Sequence, residues 1–209
     1  MNDRHLSSQF DEDLNSLCSK LLQMGGMVES QIEIAMRAFS ESSLELCQQV
    51  IEREKNINTL EVEIDSACTE LIARRQPTAR DLRLVMAISK AITNLERGGD
   101  EAEIVAKRAK RIIEQDSNYK INTAEIKLSG QMAIDLLRRS LDCFARLDAA
   151  AAAKVVEDDK QIDEEFRGFV RKLITYMAED PKMISTNGTS DVVIHTPVIA
   201  KIIYLCGFS

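Results

Sequence analysis

Apolar residues recur at three- and four-residue steps along most of this chain, in runs far longer than any β-strand. Leu14, Leu17, Leu21, Met24, Val28, Ile32, Ala35 and Phe39 form one stripe. Leu46, Val50, Ile57, Leu60, Ile64, Cys68 and Leu71 form a second, and Leu82, Val85, Ile88, Ile92, Leu95, Ala102, Val105, Ala109 and Ile112 a third. A stripe of that period lies on one face of an α-helix and requires a partner surface. Only 8 glycines and 3 prolines occur in 209 residues, so turns are scarce and the elements between them long. The expectation is an all-α fold of antiparallel bundled helices. Capping hydroxyls between Ser40 and Ser43 separate the first two helices, and Pro77 separates the second from the third. Asp116, Ser117 and Asn118 stop the third.

The pattern then starts again. Met132, Leu136, Leu137, Leu141 and Phe144 mark a fourth helix, and an alanine-rich start at Ala149 leads into a fifth with Val155, Ile162, Phe166, Phe169, Val170, Leu173 and Met177. Glu54-Lys55-Asn56-Ile57-Asn58 in the second helix parallels Asp159-Lys160-Gln161-Ile162-Asp163 in the fifth, and each is followed at a similar distance by a proline, Pro77 or Pro181. An internal repeat of this kind predicts two pseudo-symmetric three-helix bundles, over residues 1–117 and 118–209. The sixth helix, however, is expected to be incomplete or altered. After about residue 186 the composition becomes loop-like, Asp191 to Thr196 is β-branched, and Pro197 falls where the helix interior belongs. The face of helices four and five meant for a sixth is then expected to be poorly covered.

Several function classes are disfavoured. The formal net charge is −7 with no basic cluster, so nucleic acid is not an expected partner. The two histidines, His5 and His195, sit near opposite ends, leaving no base for Ser–His or Cys–His catalysis, and no Gly-rich phosphate loop occurs. Five scattered cysteines without paired spacing fit a reducing compartment. No apolar run reaches membrane-spanning length, and the start of the chain lacks the pattern of a signal peptide. The expectation is a cytoplasmic protein that is not an enzyme.

The carboxylates are the residues most able to carry chemistry. Glu96 and Asp100 stand one turn apart on one helix face, where two carboxylates repel unless a cation joins them. Ordinary solvated charges, with Glu96 pairing to Arg97 or Lys90, are the competing explanation. Gly98 and Gly99 interrupt that helix, and Gly99 falls on the apolar seam, which close helix approach would explain. Glu54 and Asp159 each occupy a step where a seam residue is expected, a costly place for a charge unless it is paired or metal-bound. A bound cation and a wet bundle end beside Lys55 or Lys160 both satisfy that requirement.

Ala73-Arg74-Arg75-Gln76-Pro77, then Asp81-Leu82-Arg83, then Leu95-Glu96-Arg97-Gly98-Gly99-Asp100-Glu101-Ala102 resemble the PhoU family of phosphate-transport accessory proteins. Met24-Gly25-Gly26-Met27-Val28-Glu29 and Tyr176-Met177-Ala178-Glu179-Asp180-Pro181 resemble it as well. The resemblance covers about residues 5–186. It implies two three-helix bundles and a negative regulator of phosphate uptake and of the phosphate-starvation response. The implied partners are the ATPase subunit of the phosphate ABC transporter, a sensor histidine kinase and a second copy in a homodimer, with the membrane reached only through partners. It also implies divalent or ferric metal ions (iron, zinc, manganese or magnesium) held by acidic motifs. Glu96 and Asp100 match that motif, Asp159 and Asp163 match its spacing, and Glu54 with Asn58 matches in part. Two departures stand out: Gly98 replaces a bulky aliphatic residue, and Ala200 and Tyr204 occupy the carboxylate positions of the second copy. A di-metal carboxylate enzyme and a metal-free helical adaptor are the alternatives, and no histidine follows any candidate glutamate as the usual di-metal sites require.

Overall fold

The computed structural model describes residues 3–114 and 123–179, all of them helices and their short connections. The order is α1 (Asp3–Glu41), α2 (Leu44–Arg75), α3 (Ala79–Glu114), α4 (Thr123–Arg146) and α5 (Ala149–Glu179). The fold is all-α, as the periodicity requires. The boundary expected near residue 117, the altered sixth helix and the uncovered face it would leave lie outside the described residues, as does the side chain of Asp163.

Helices α1, α2 and α3 pack on one another in all three pairs, α4 packs on α1, and α5 packs on α4. The first bundle closes over the three stripes read from the sequence: Leu21, Met24 and Val28 of α1, Ile57 and Ile64 of α2, and Ile88, Ile92 and Leu95 of α3 are all fully buried. Burying such a side chain contributes about 1.5–3 kcal/mol, so this seam supplies most of the drive for the three helices to associate. The described cysteines, Cys18, Cys47, Cys68 and Cys143, are free thiols. Burial raises each of them, Cys68 to about 11, so none is a ready nucleophile near neutral pH.

The α1–α2 and α4–α5 turns share their closing and capping bonds at a constant offset of 105 positions. Ser43 N–H donates to Ala38 O at 3.0 Å, and Asp148 N–H to Cys143 O at 3.0 Å. Ser42 and Leu147 take the left-handed conformation, φ 51° and 52°, that ends a helix in this way. Ser43 then accepts from Leu46 N–H at 3.3 Å and Asp148 from Ala151 N–H at 2.9 Å, so each residue caps the next helix. The third connection differs. Gln76 is left-handed at φ 47°, its N–H returns to Ile72 O, and Pro77 lies in the link before α3.

The contact between α1 and α4 has the same symmetry. A Cβ built on Gly25 of α1 would fall 2.5 Å from Leu141 Cδ2, and one on Gly130 of α4 would fall 2.7 Å from Met36 Cε. Gly25 and Gly130 are counterparts at the same offset, as are Met36 and Leu141. Each helix therefore offers a notch to the other's long side chain. Arg138 of α4 clamps the crossing by pairing with Glu29 of α1.

Candidate carboxylate site

Glu54 lies in the middle of α2, on the seam that faces α1 and α3, and is only 4% exposed. Its burial corrects the wet-end alternative: Lys55 is exposed, and among the described residues no lysine or arginine pairs with Glu54. The compensation is an amide. Gln31 of α1, 1% exposed, donates its side-chain N–H to Glu54 Oε2 and also reaches Gly99 O on α3 at 3.3 Å. Glu54 Oε1 is buried with no hydrogen-bond partner.

Gly99 makes room for this arrangement. A Cβ there would stand 3.0 Å from Glu54 Oε2, 3.1 Å from Oε1 and 3.1 Å from Ile57 Cδ1. The helix-weakening glycine thus sits where α3 packs tightly on Glu54 and Ile57 of α2, as its seam position predicts. Burial is the main influence that lifts the Glu54 carboxyl to about 7, with the charge of Asp100 next, the Gln31 hydrogen bond opposing, and Glu103 and Glu96 adding smaller repulsions. A group poised there exchanges its proton near neutral pH.

Glu96 and Asp100 flank the glycines on α3 and are both partly exposed. Burial raises the Glu96 carboxyl, the negative charge of Asp100 raises it further, and Glu61 of α2 adds a third push. Neither Arg97 nor Lys90 forms an ion pair with Glu96. Three sequence candidates, Glu54, Glu96 and Asp100, therefore lie within electrostatic reach of one another across α2 and α3. Asn58 is exposed. Asp159 lies on α5, whose packing partner is α4, so it belongs to a separate part of the molecule.

The donor chemistry suits a hard cation, since every group is a carboxylate or amide oxygen and one buried oxygen lacks a partner. The fit is partial: among the described residues no three acidic, histidine or cysteine side chains converge as a ready-made ligand set. The sequence reading missed Gln31, Glu61 and Glu103. Gln31 gave no signal, because it stands beside Ile32, which keeps the apolar stripe of α1 unbroken between Val28 and Ala35.

The fold and site define an all-helical protein with one buried carboxylate, Glu54, between its helices and two partly exposed ones, Glu96 and Asp100, on the neighbouring helix. The PhoU domain profile matches residues 21–109 and 126–203, and the chain belongs to the PhoU family. The second match extends past residue 186. The chain is 50% identical over 187 residues to a Burkholderia sp protein described as a phosphate-specific transport system accessory protein PhoU homolog, covering 89% of this chain and 80% of that protein. It is 42% identical over 181 residues to the phosphate-specific transport system accessory protein PhoU of Escherichia coli (strain K12), covering 87% and 74%. The crystal structure of PhoU from Pseudomonas aeruginosa superposes with a TM-score of 0.84 at 38% identity, covering 95% of this chain and 93% of that one. Among the described residues no helix is long and apolar enough to cross a membrane.

Proposed function

We propose that this chain is an accessory protein of phosphate transport that restrains phosphate uptake and the phosphate-starvation response. It acts by protein contacts with the ATPase subunit of a phosphate ABC transporter and with a sensor histidine kinase, working at the cytoplasmic face as a homodimer and without catalysing a reaction. The observation that carries this reading is the likeness to relatives named as phosphate-transport accessory proteins along nearly nine-tenths of the chain. The long, charged outer faces of α1 to α3 suit binding to other proteins.

A divalent or ferric cation is part of the proposal. Glu96 and Asp100 would hold it from one face of α3, with waters filling the remaining positions. Glu54 lies behind them as the group whose proton the cation's charge would displace. Asp159 and Asp163 of α5, the counterparts of Glu54 and Asn58, would supply the carboxylates of the second half.

The test is complementation. Expression of this chain in cells lacking their own PhoU should return a phosphate-starvation reporter to its repressed level when phosphate is plentiful. The tagged chain should also retain the transporter's ATPase subunit on a column. Full derepression with a stably expressed chain would overturn the regulatory reading. Restored repression without retention of the ATPase subunit would overturn the proposed partner.

A further inference from the structure

Gly25 and Gly26 are adjacent in α1, yet packing accounts for only one of them. Gly25 receives Leu141 of α4, whereas a Cβ on Gly26 would meet nothing within 4 Å. A glycine inside a helix costs stability relative to alanine. Gly26 is exposed and repays that cost with no helix contact. It does border a groove of about 390 Å³ between α1 and α2, lined by Gln23, Gly26, Met27, Ser30 and Gln31 from α1 and by Arg53 and Asn56 from α2. None of the residues lining the groove is Asp or Glu.

The formal charge of the lining is one-sided. Arg53 carries a guanidinium with no carboxylate partner among the described residues, although the molecule is acidic and its other helix faces are rich in ion pairs. Gln23 and Asn56 add side-chain amides and Ser30 a hydroxyl, all able to donate. Gln31 forms the floor, and its amide is already committed to Glu54 and Gly99. That commitment keeps the buried carboxylate turned away behind the floor. A guanidinium with several neutral donors around it, and a wall opened by a missing Cβ, is the chemistry that recognises an oxyanion by charge-assisted hydrogen bonds.

We propose that this groove is a binding site for a small tetrahedral oxyanion of the phosphate class. Arg53 supplies the charge, Gln23, Ser30 and Asn56 the surrounding donors, and Gly26 the space for close approach. The tetrahedral class follows from donors contributed by two helices, which can meet oxygens on several sides of a centre, whereas a planar carboxylate needs only one fork. The site is separate from the acidic cluster, because neither Glu96 nor Asp100 lines it. It belongs to the first half alone: at the 105-residue offset the counterparts of Gly26 and Arg53 are Gln131 and Asp158, which remove both the notch and the charge.

The experiment is calorimetric titration of the full chain with inorganic phosphate at constant ionic strength, with sulfate and acetate as parallel arms. Saturable one-to-one binding of phosphate is expected, with acetate binding at least about tenfold weaker. Arg53→Gln should weaken phosphate at least about tenfold, the loss expected for a charged hydrogen bond. Gly26→Ala is the sharper variant, because a merely structural glycine predicts the opposite pairing of effects. It should raise Tm by about 2–4 °C, since the new methyl meets open space and helix propensity improves. It should also weaken phosphate at least about tenfold. Glu96→Ala, which leaves every lining residue in place, should bind phosphate as the parent does, so failure of the cation proposal and failure of this one are distinguishable. The proposal is overturned by absence of saturable phosphate binding, by acetate binding as tightly as phosphate, or by parental affinity in either Arg53→Gln or Gly26→Ala.

Discussion

Glu54 of α2 lies against the backbone of Gly99 on α3, so closely that a methyl group on Gly99 would stand 3.0 Å from one carboxylate oxygen and 3.1 Å from the other. A charged group sealed between two helices must be either neutralised or partnered. The Gln31 amide partners one oxygen, and the other is left without a partner.

Glu54→Gln therefore tests the burial directly. The folded carboxyl titrates near 7 against an ordinary value of 4.5. Below pH 4.5 folded and unfolded chains both hold the proton, so the group has no effect on stability. Between 4.5 and 7 only the unfolded chain releases it, and parental stability falls as pH rises. Above 7 the penalty is fully present. In the presence of a chelator, Glu54→Gln should match the parent at pH 4.5 and exceed it at pH 8 by roughly 2–3 kcal/mol. Denaturant melts at the two pH values check this, and a constant difference between them would contradict it.

The cation proposal predicts a thermal shift. Manganese or magnesium at about a hundred times its dissociation constant should stabilise the parent by about 2.7 kcal/mol. Replacing both Glu96 and Asp100 by alanine should abolish that shift while leaving the melting temperature without metal little changed, because both side chains are partly exposed. An undiminished shift in the double variant would assign the cation elsewhere.

The crossing of α1 and α4 makes neighbouring glycines behave oppositely. Gly25→Ala should destabilise by about 1–3 kcal/mol, because the new methyl overlaps Leu141. Shortening Leu141 to alanine in the same chain should recover part of that loss, so the double variant is less unstable than the sum of the single ones. Additive losses in chemical denaturation would show that the two residues do not meet.

Leu147 holds a left-handed backbone at φ 52°, a conformation that costs a side-chain-bearing residue roughly 1–2 kcal/mol. Its side chain is 46% exposed, so little packing is lost on removal. Leu147→Gly should raise stability by about 1 kcal/mol, read as a higher midpoint in urea. Asp148→Ala beside it should lower stability by about 1 kcal/mol through loss of the N-cap.

Much of this architecture was legible in the chain, for identifiable reasons. Helix period is a local property, so the stripes of α1 to α3 declared themselves, and Glu54 stood out because it broke one. Gly99 was legible for the same reason. The influence of Glu61 and Glu103 on the site was not, because it depends on how α2 and α3 are rotated about their axes when they pack. The pairing of Arg138 with Glu29 spans 109 positions and two halves of the molecule, beyond any local pattern. The left-handed turn at Leu147 carries neither Gly nor Asn, the residues that usually announce one. Its counterpart Ser42 gives no better cue, although both turns close with the same bonds.

The paired notches on α1 and α4 have a mechanical consequence. Gly25 and Met36 are eleven residues apart on α1, about 16 Å along a helix, and each is engaged by α4, as a receptacle in one case and a peg in the other. A single peg lets two rods swivel, whereas two pegs set in opposite directions fix both their axial slide and their angle. One turn of slippage would unseat both at once and strand two bulky side chains on helix ridges. A displacement of α1 along its axis would thus meet α4 at two points at once, and the two helices would move together.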